Sequence, residues 1–246
     1  MNGLDLIVWV AWPYVALTIF VVGHVWRWRH DQFGWTSRSS QLEESVLLKW
    51  GSPIFHYGTL AAIAGHVLGI LIPESWTEAV GIPEWLYHWI SAIPGSLAAL
   101  AVLVGLVILV YRRLTVPRVA AATTRTDMAV YGLLTLVILL GAFETIGVNL
   151  LGSAYDYRLT VSIWFRGLFL LDPQPALMVS APLLYQLHVF CAWFLFALWP
   201  FSRLVHAWSV PWAYLGRPWI LFRSHRSRAA AGRRVGRGPG RIPGRG

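Results

Sequence analysis

The chain has 246 residues, 57% of them hydrophobic and 13% charged, with a formal net charge of +9. A mean hydropathy of +0.56 is too apolar for a soluble domain of this length and points to a polytopic membrane protein. The basic residues fall between apolar runs and in the tail, as membrane topology would place them, so no nucleic-acid partner is expected.

The first apolar run covers about residues 4–25, with Asp5 at its start and Pro13 inside it. It lacks a basic leader and a small-residue cleavage site, so it reads as a retained span. His24 sits beside Trp26, Arg27, Trp28 and Arg29, a pattern expected of an interfacial belt. The second run, about 47–72, carries His56 and His66. The loop after it has Glu74, Glu78 and Glu84 and no Lys or Arg.

The third run, about 85–111, opens with Tyr87 and His88 and stops at Arg112 and Arg113. The fourth, about 128–151, holds Glu144 in its outer part, as a proton-exit group or a hydrated carboxylate. The connection that follows contains Val161–Leu171, apolar at helical spacing but too short to span. It is expected to lie on the surface or to cap the bundle.

The fifth run, about 181–207, is read as one helix carrying His188 and His206, eighteen residues apart. Five helical turns put both imidazoles on one face, roughly 27 Å apart along the axis. The expected organisation is an all-α membrane domain over 1–222 and a basic, disordered cytoplasmic tail over 223–246 that touches anionic lipid headgroups.

Charge bias sets the expected orientation. The loops after the first and third spans, with the tail, carry nearly all the Lys and Arg, so the N-terminus is outside and the C-terminus cytoplasmic. The second and fifth spans then run in opposite directions, which pairs His66 with His188 and His56 with His206. Two facing imidazoles at two depths suit two six-coordinate b-type haems, which favour electron transfer over oxygen chemistry. The single cysteine, Cys191, leaves any haem to axial side chains alone.

Geometry raises an objection. His56 and His66 are ten residues apart, about 15 Å of helix, so the two spans do not match unless one bends. Pro200 lies between the span-five histidines and can supply a kink. Gly58, Ala61, Ala62, Ala64, Gly65 and Gly69 surround the span-two histidines. They suit either a macrocycle lying against the helix or close helix packing. Arg112, Arg113 and Arg203 read as cytoplasmic flanking charges, with haem propionates as the alternative partner.

Several strings resemble the gamma subunit of respiratory nitrate reductase, the membrane cytochrome b of a quinol–nitrate oxidoreductase. They are PFSRLVHAWSVPWAYL (200–215), SSQ (39–41), FHYG around His56, GHVLGILIP around His66 and RRLTVPRVAAATTRTD (112–127). The resemblance runs from the first span to about Arg223. It implies five transmembrane helices in a bacterial cytoplasmic membrane and two haems b, with His66 and His188 on the distal haem and His56 and His206 on the proximal one.

It also implies a menaquinol or ubiquinol site near Gly65 and His66. The partners implied are an iron–sulfur beta subunit and a molybdenum alpha subunit that reduces nitrate to nitrite in anaerobic respiration or nitrate assimilation. Some members place a lysine at the start of span three. Here that region reads WLYHW, so Tyr87 or His88 takes the role at the quinol site. Competing readings are a di-haem anchor of a hydrogenase or formate dehydrogenase, a transporter relaying protons through histidines, and a purely structural anchor.

Overall fold

The computed structural model describes residues 2–36 and 38–208. Five helices are long and apolar enough to cross a membrane: α1 (Gly3–His30), α2 (Val46–Leu71), α4 (Glu84–Thr115), α6 (Arg125–Leu150) and the segment Leu183–Phe201, which opens with α9 (Leu183–Leu198). Four short helices join them: α3 (Glu74–Ala79), α5 (Pro117–Ala121), α7 (Val161–Phe169) and α8 (Pro175–Ser180). No strand occurs among the described residues.

α2 and α4 form the closest pair, and glycine is the cause. A Cβ on Gly105 would lie 2.5 Å from the Phe55 backbone nitrogen, and one on Gly58 would lie 2.8 Å from the Val102 nitrogen. Small residues let two backbones approach, which is how membrane helices associate when lipid is as apolar as their side chains. Gly58 is therefore a packing residue. Gly65, with nothing within 4 Å of a Cβ position, faces open space.

α9 packs between α6 and α1. The core gathers at the end of the bundle that holds the start of α1. There Trp9, Trp164, Leu168, Met178, Tyr185 and Trp193 are buried together. Trp164 is fully enclosed, and its Nε1 donates to the Trp9 carbonyl at 2.8 Å. Of the two placements expected for Val161–Leu171, the cap is observed: α7 buries Val161, Ser162, Trp164, Gly167 and Leu168. Its Ser162 hydroxyl donates to the Gly69 carbonyl at 2.9 Å and Arg166 to the Ile70 carbonyl at 2.8 Å. Those bonds satisfy carbonyls at the end of α2, which have no helical partner of their own.

The fifth run departs from the continuous helix read from its sequence. α9 ends at Leu198, a 3-10 turn covers Trp199–Phe201, Ser202 is extended, and a second 3-10 segment covers Arg203–Trp208. Pro200 lacks the N–H that would continue the helix. The freed Pro200 and Ser202 carbonyls accept from Arg27 at 2.7 and 2.8 Å. His206 thus leaves the α9 axis, and the mismatch between the two histidine spacings no longer has to be absorbed by a straight helix. The tail expected over 223–246 lies outside the described residues.

Candidate functional site

The four histidines meet in two pairs. The rings of His66 and His188 lie 6.3 Å apart, centroid to centroid, with 18° between their planes. Those of His56 and His206 lie 5.9 Å apart at 70°. A metal–imidazole nitrogen bond of about 2 Å puts each ring centroid roughly 3 Å from a metal. Two rings on opposite sides of one iron then lie roughly 6 Å apart, so both pairs have the separation that bis-imidazole ligation requires.

The ring orientations fit as well. Nδ1 of His56 bonds the Ser52 carbonyl at 2.7 Å, Nδ1 of His66 the Ala62 carbonyl at 2.7 Å, and Nδ1 of His206 the Arg203 carbonyl at 2.6 Å. A ligating histidine usually donates its second ring nitrogen to such an acceptor, which fixes the ring and leaves Nε2 for the metal. His188 differs: its buried Nδ1 lacks a hydrogen bond of full geometry among the described residues, although the Val137 carbonyl acts on it. Gly141 gives His188 its place, since a Cβ there would lie 2.8 Å from the ring. Ala61, Ala64 and Gly65 stay exposed beside His66. The residues present therefore fit two haems held by histidine.

The expected quinol residues fall in different environments. Gly65 opens onto free space beside His66. His88 is half-buried and packs edge-on against Trp89 at 5.2 Å. Tyr87 is buried, with the Arg158 guanidinium 3.8 Å above its ring. Arg158 in turn donates to Glu84 at 2.9 Å and to the Thr77 hydroxyl at 2.6 Å. Glu74, Glu84 and Asp156 cluster around it.

The arginines expected as flanking charges are instead tied into the fold. Arg112 bonds the Glu44 carboxylate at 2.5 Å, the Ser40 hydroxyl at 2.9 Å and the Ser40 and Glu44 carbonyls. Arg113 donates to the hydroxyls of Thr123 and Tyr131. Arg203 grips both oxygens of Asp127, at 2.5 and 2.7 Å. Arg27, placed in the sequence as a belt residue, is buried. His24 is half-buried against the rings of Phe20, Trp35 and Trp208. Sequence reading missed these pairings because Glu44 and Asp127 look like ordinary loop acids. The one local signal was Thr124-x-x-Asp127, which forms a capping box at the start of α6.

Comparison with known proteins gives these features a family. A family model described as the nitrate reductase gamma subunit matches residues 5–225. The chain belongs to the nitrate reductase gamma subunit family. It is 43% identical over 217 residues to the nitrate reductase gamma chain of Bacillus subtilis, covering 88% of this chain and 97% of that one. It is 30% identical over 225 residues to the respiratory nitrate reductase 1 gamma chain of Escherichia coli, covering 91% and 99%.

It is also 50% identical over 217 residues to the nitrate reductase-like protein NarX of Mycobacterium tuberculosis. There the match covers 88% of this chain but only 33% of the longer protein, so this gamma-family chain spans about a third of that relative. Membership in the gamma family, with five helices of spanning length, makes this a multi-pass membrane protein.

Proposed function

We propose that this gamma-family chain is the quinol-oxidising, haem-carrying membrane subunit of a nitrate-reducing complex. The observation that carries the reading is the double pairing of His56 with His206 and His66 with His188 at bis-imidazole separation. Haem b would supply one-electron carriers at two depths. His66 and His188 would hold the distal one, and His56 and His206 the proximal one. Iron–sulfur and molybdenum subunits on the cytoplasmic side would receive the electrons and reduce nitrate. The relatives named as nitrate reductase gamma chains support that partnership.

The chain's own residues do the rest. Gly65 leaves room for a flat ring beside His66. His88 would accept a proton from a menaquinol or ubiquinol hydroxyl, a general-base role that imidazole commonly takes. Tyr87 lines the site with its ring fixed by Arg158. Charge bias puts the N-terminus outside, so quinol protons leave outward while electrons pass inward, which makes the reaction electrogenic.

The test is the haem content and visible spectrum of the purified protein, wild type beside His66→Ala and His56→Ala. About two b-type haems with one lost in each variant is the expected result. A well-folded wild type that holds no haem when haem is supplied would sink the reading. His88→Ala is expected to slow quinol oxidation with both haems retained, and unchanged kinetics would remove His88 from the site.

A further inference from the structure

Glu144 is the acid in this bundle that the reading above leaves without a task. It is buried at 9% exposure, and its Oε1 has no hydrogen-bond partner among the described residues. It is the second residue of the π-helical stretch Phe143–Leu150, where α6 departs from α-helical bonding. Such stretches inside helices frequently mark functional positions. Among the described residues Glu144 forms no ion pair with an arginine or lysine. The titratable group it reaches electrostatically is Tyr185 of α9.

Its neighbours are polar and under-satisfied too. α4 packs on this stretch, with Gly95 against Thr145, where a Cβ on Gly95 would lie 3.1 Å from the threonine methyl. Ser96, next to Gly95, buries a hydroxyl with no hydrogen-bond partner among the described residues, as Glu144 next to Thr145 buries a carboxyl oxygen. One turn inward on α6, Gly141 touches His188, whose buried Nδ1 has only the Val137 carbonyl acting on it, without a hydrogen bond of full geometry among the described residues. Unpaired polar atoms are costly in a membrane interior and call for an explanation such as internal water.

Beyond Glu144 the polar trail continues to the connecting segment. Asn149 Nδ2 donates to the Tyr185 hydroxyl at 2.9 Å, and Asn149 Oδ1 accepts from the Tyr155 N–H at 3.0 Å. Tyr155 shares a proton with Thr160 at 2.7 Å. Residues 152–155 around this end are exposed or half-buried.

We propose that Glu144 is the proton relay of the quinol site, carrying quinol protons from the level of His66 and His188 past Tyr185 and Asn149 to the segment 152–160. The inference rests on the quinol-oxidising reading. In each transfer Glu144 gives its carboxyl proton outward to water. The resulting carboxylate takes a proton released by quinol, whose electrons would leave through the haems that the two histidine pairs would hold, so Glu144 ends as it began. Glu144 does not touch the electrons.

The test uses the haem-loaded protein in nanodiscs for spectroscopy and, for turnover, the assembled nitrate-reducing complex in vesicles with nitrate as the electron acceptor. Infrared spectroscopy is expected to show a protonated carboxylic acid band in the wild type that shifts on transfer to heavy water and is absent from E144Q. In vesicles, E144Q is expected to retain haem content and spectrum. Its quinol oxidation and outside acidification should fall on the order of a hundredfold, as loss of a proton-transfer group does, with partial recovery in E144D.

A band that does not exchange with heavy water, or E144Q turning over quinol at the wild-type rate, overturns the relay and leaves the quinol reading standing. A wild type with haem but no quinol oxidation overturns the quinol reading, and the relay with it. Equal failure of E144Q and E144D with loss of haem assigns Glu144 to folding and also overturns the relay.

Discussion

Asp127 does two jobs with one carboxylate. It closes the capping box of α6, accepting the Thr124 N–H at 2.9 Å, and it receives the Arg203 fork from just before His206. The bond therefore anchors the segment that presents His206 to the start of another helix. Breaking a buried pair leaves an uncompensated charge and costs about 3–5 kcal/mol. Asp127→Ala is accordingly expected to lower the unfolding free energy in detergent by about 3 kcal/mol and, on the proposed haem reading, to weaken retention of the proximal haem before the distal one. Equal loss of both haems would contradict that order.

Glu44 shows the same device outside the membrane. Burial alone would raise its carboxyl, but the Leu47 N–H and the Arg112 guanidinium hold it below the usual carboxylate range. A depressed folded-state value means the stabilisation is present above the unfolded-state value of about 4.3. It is lost as pH falls through the lower folded-state value. The wild type is thus expected to lose thermal stability on acidification in that window, and Glu44→Gln to show a flatter pH profile there. Parallel profiles would contradict the assignment.

At the scale of elements, the interface of α2 with α4 is glycine-set and that of α7 with α1 is tryptophan-set. Gly105→Val would drive a side chain into the Phe55 backbone, and overpacking of this kind costs about 1–3 kcal/mol. Gly65→Ala meets nothing within 4 Å and is expected to leave unfolding unchanged. The two glycines differ in what faces them, so unfolding midpoints measured side by side separate a packing role from an open one. Trp164→Ala removes a fully enclosed ring and its bond to Trp9, with an expected loss of about 3–5 kcal/mol. That loss should loosen α7 from the end of α2, the helix that carries His66.

For the whole molecule, the large apolar side chains exposed along the spanning helices suit a lipid-facing surface. Leu60, Ile63, Leu97, Leu100, Val104 and Val107 lie exposed on α2 and α4, a pattern that would aggregate in water and belongs in a bilayer. The interior is reserved for aromatic rings and arginine clamps. Reporter fusions check the proposed orientation: a C-terminal fluorescent protein that matures in the cytoplasm should glow, and an exported phosphatase at the same place should stay inactive. The reverse result would invert the direction of proton release.

The number of spans and their order were legible in the chain because lipid imposes length and apolarity on each helix independently. So was the antiparallel matching of His56 with His206 and His66 with His188, since alternating helices must run in opposite directions. What tertiary structure alone decided was how those histidines come within 6.3 and 5.9 Å. The sequence periodicity continues a helix through Pro200, whereas α9 ends there because Arg27, far off in the chain, takes the carbonyls the helix releases.

The burial of Arg27, Arg112 and Glu144 was likewise invisible. A charged residue at a span's end reads the same whether water or a distant carboxylate faces it. Only the packing of separate helices supplies that partner, or withholds it.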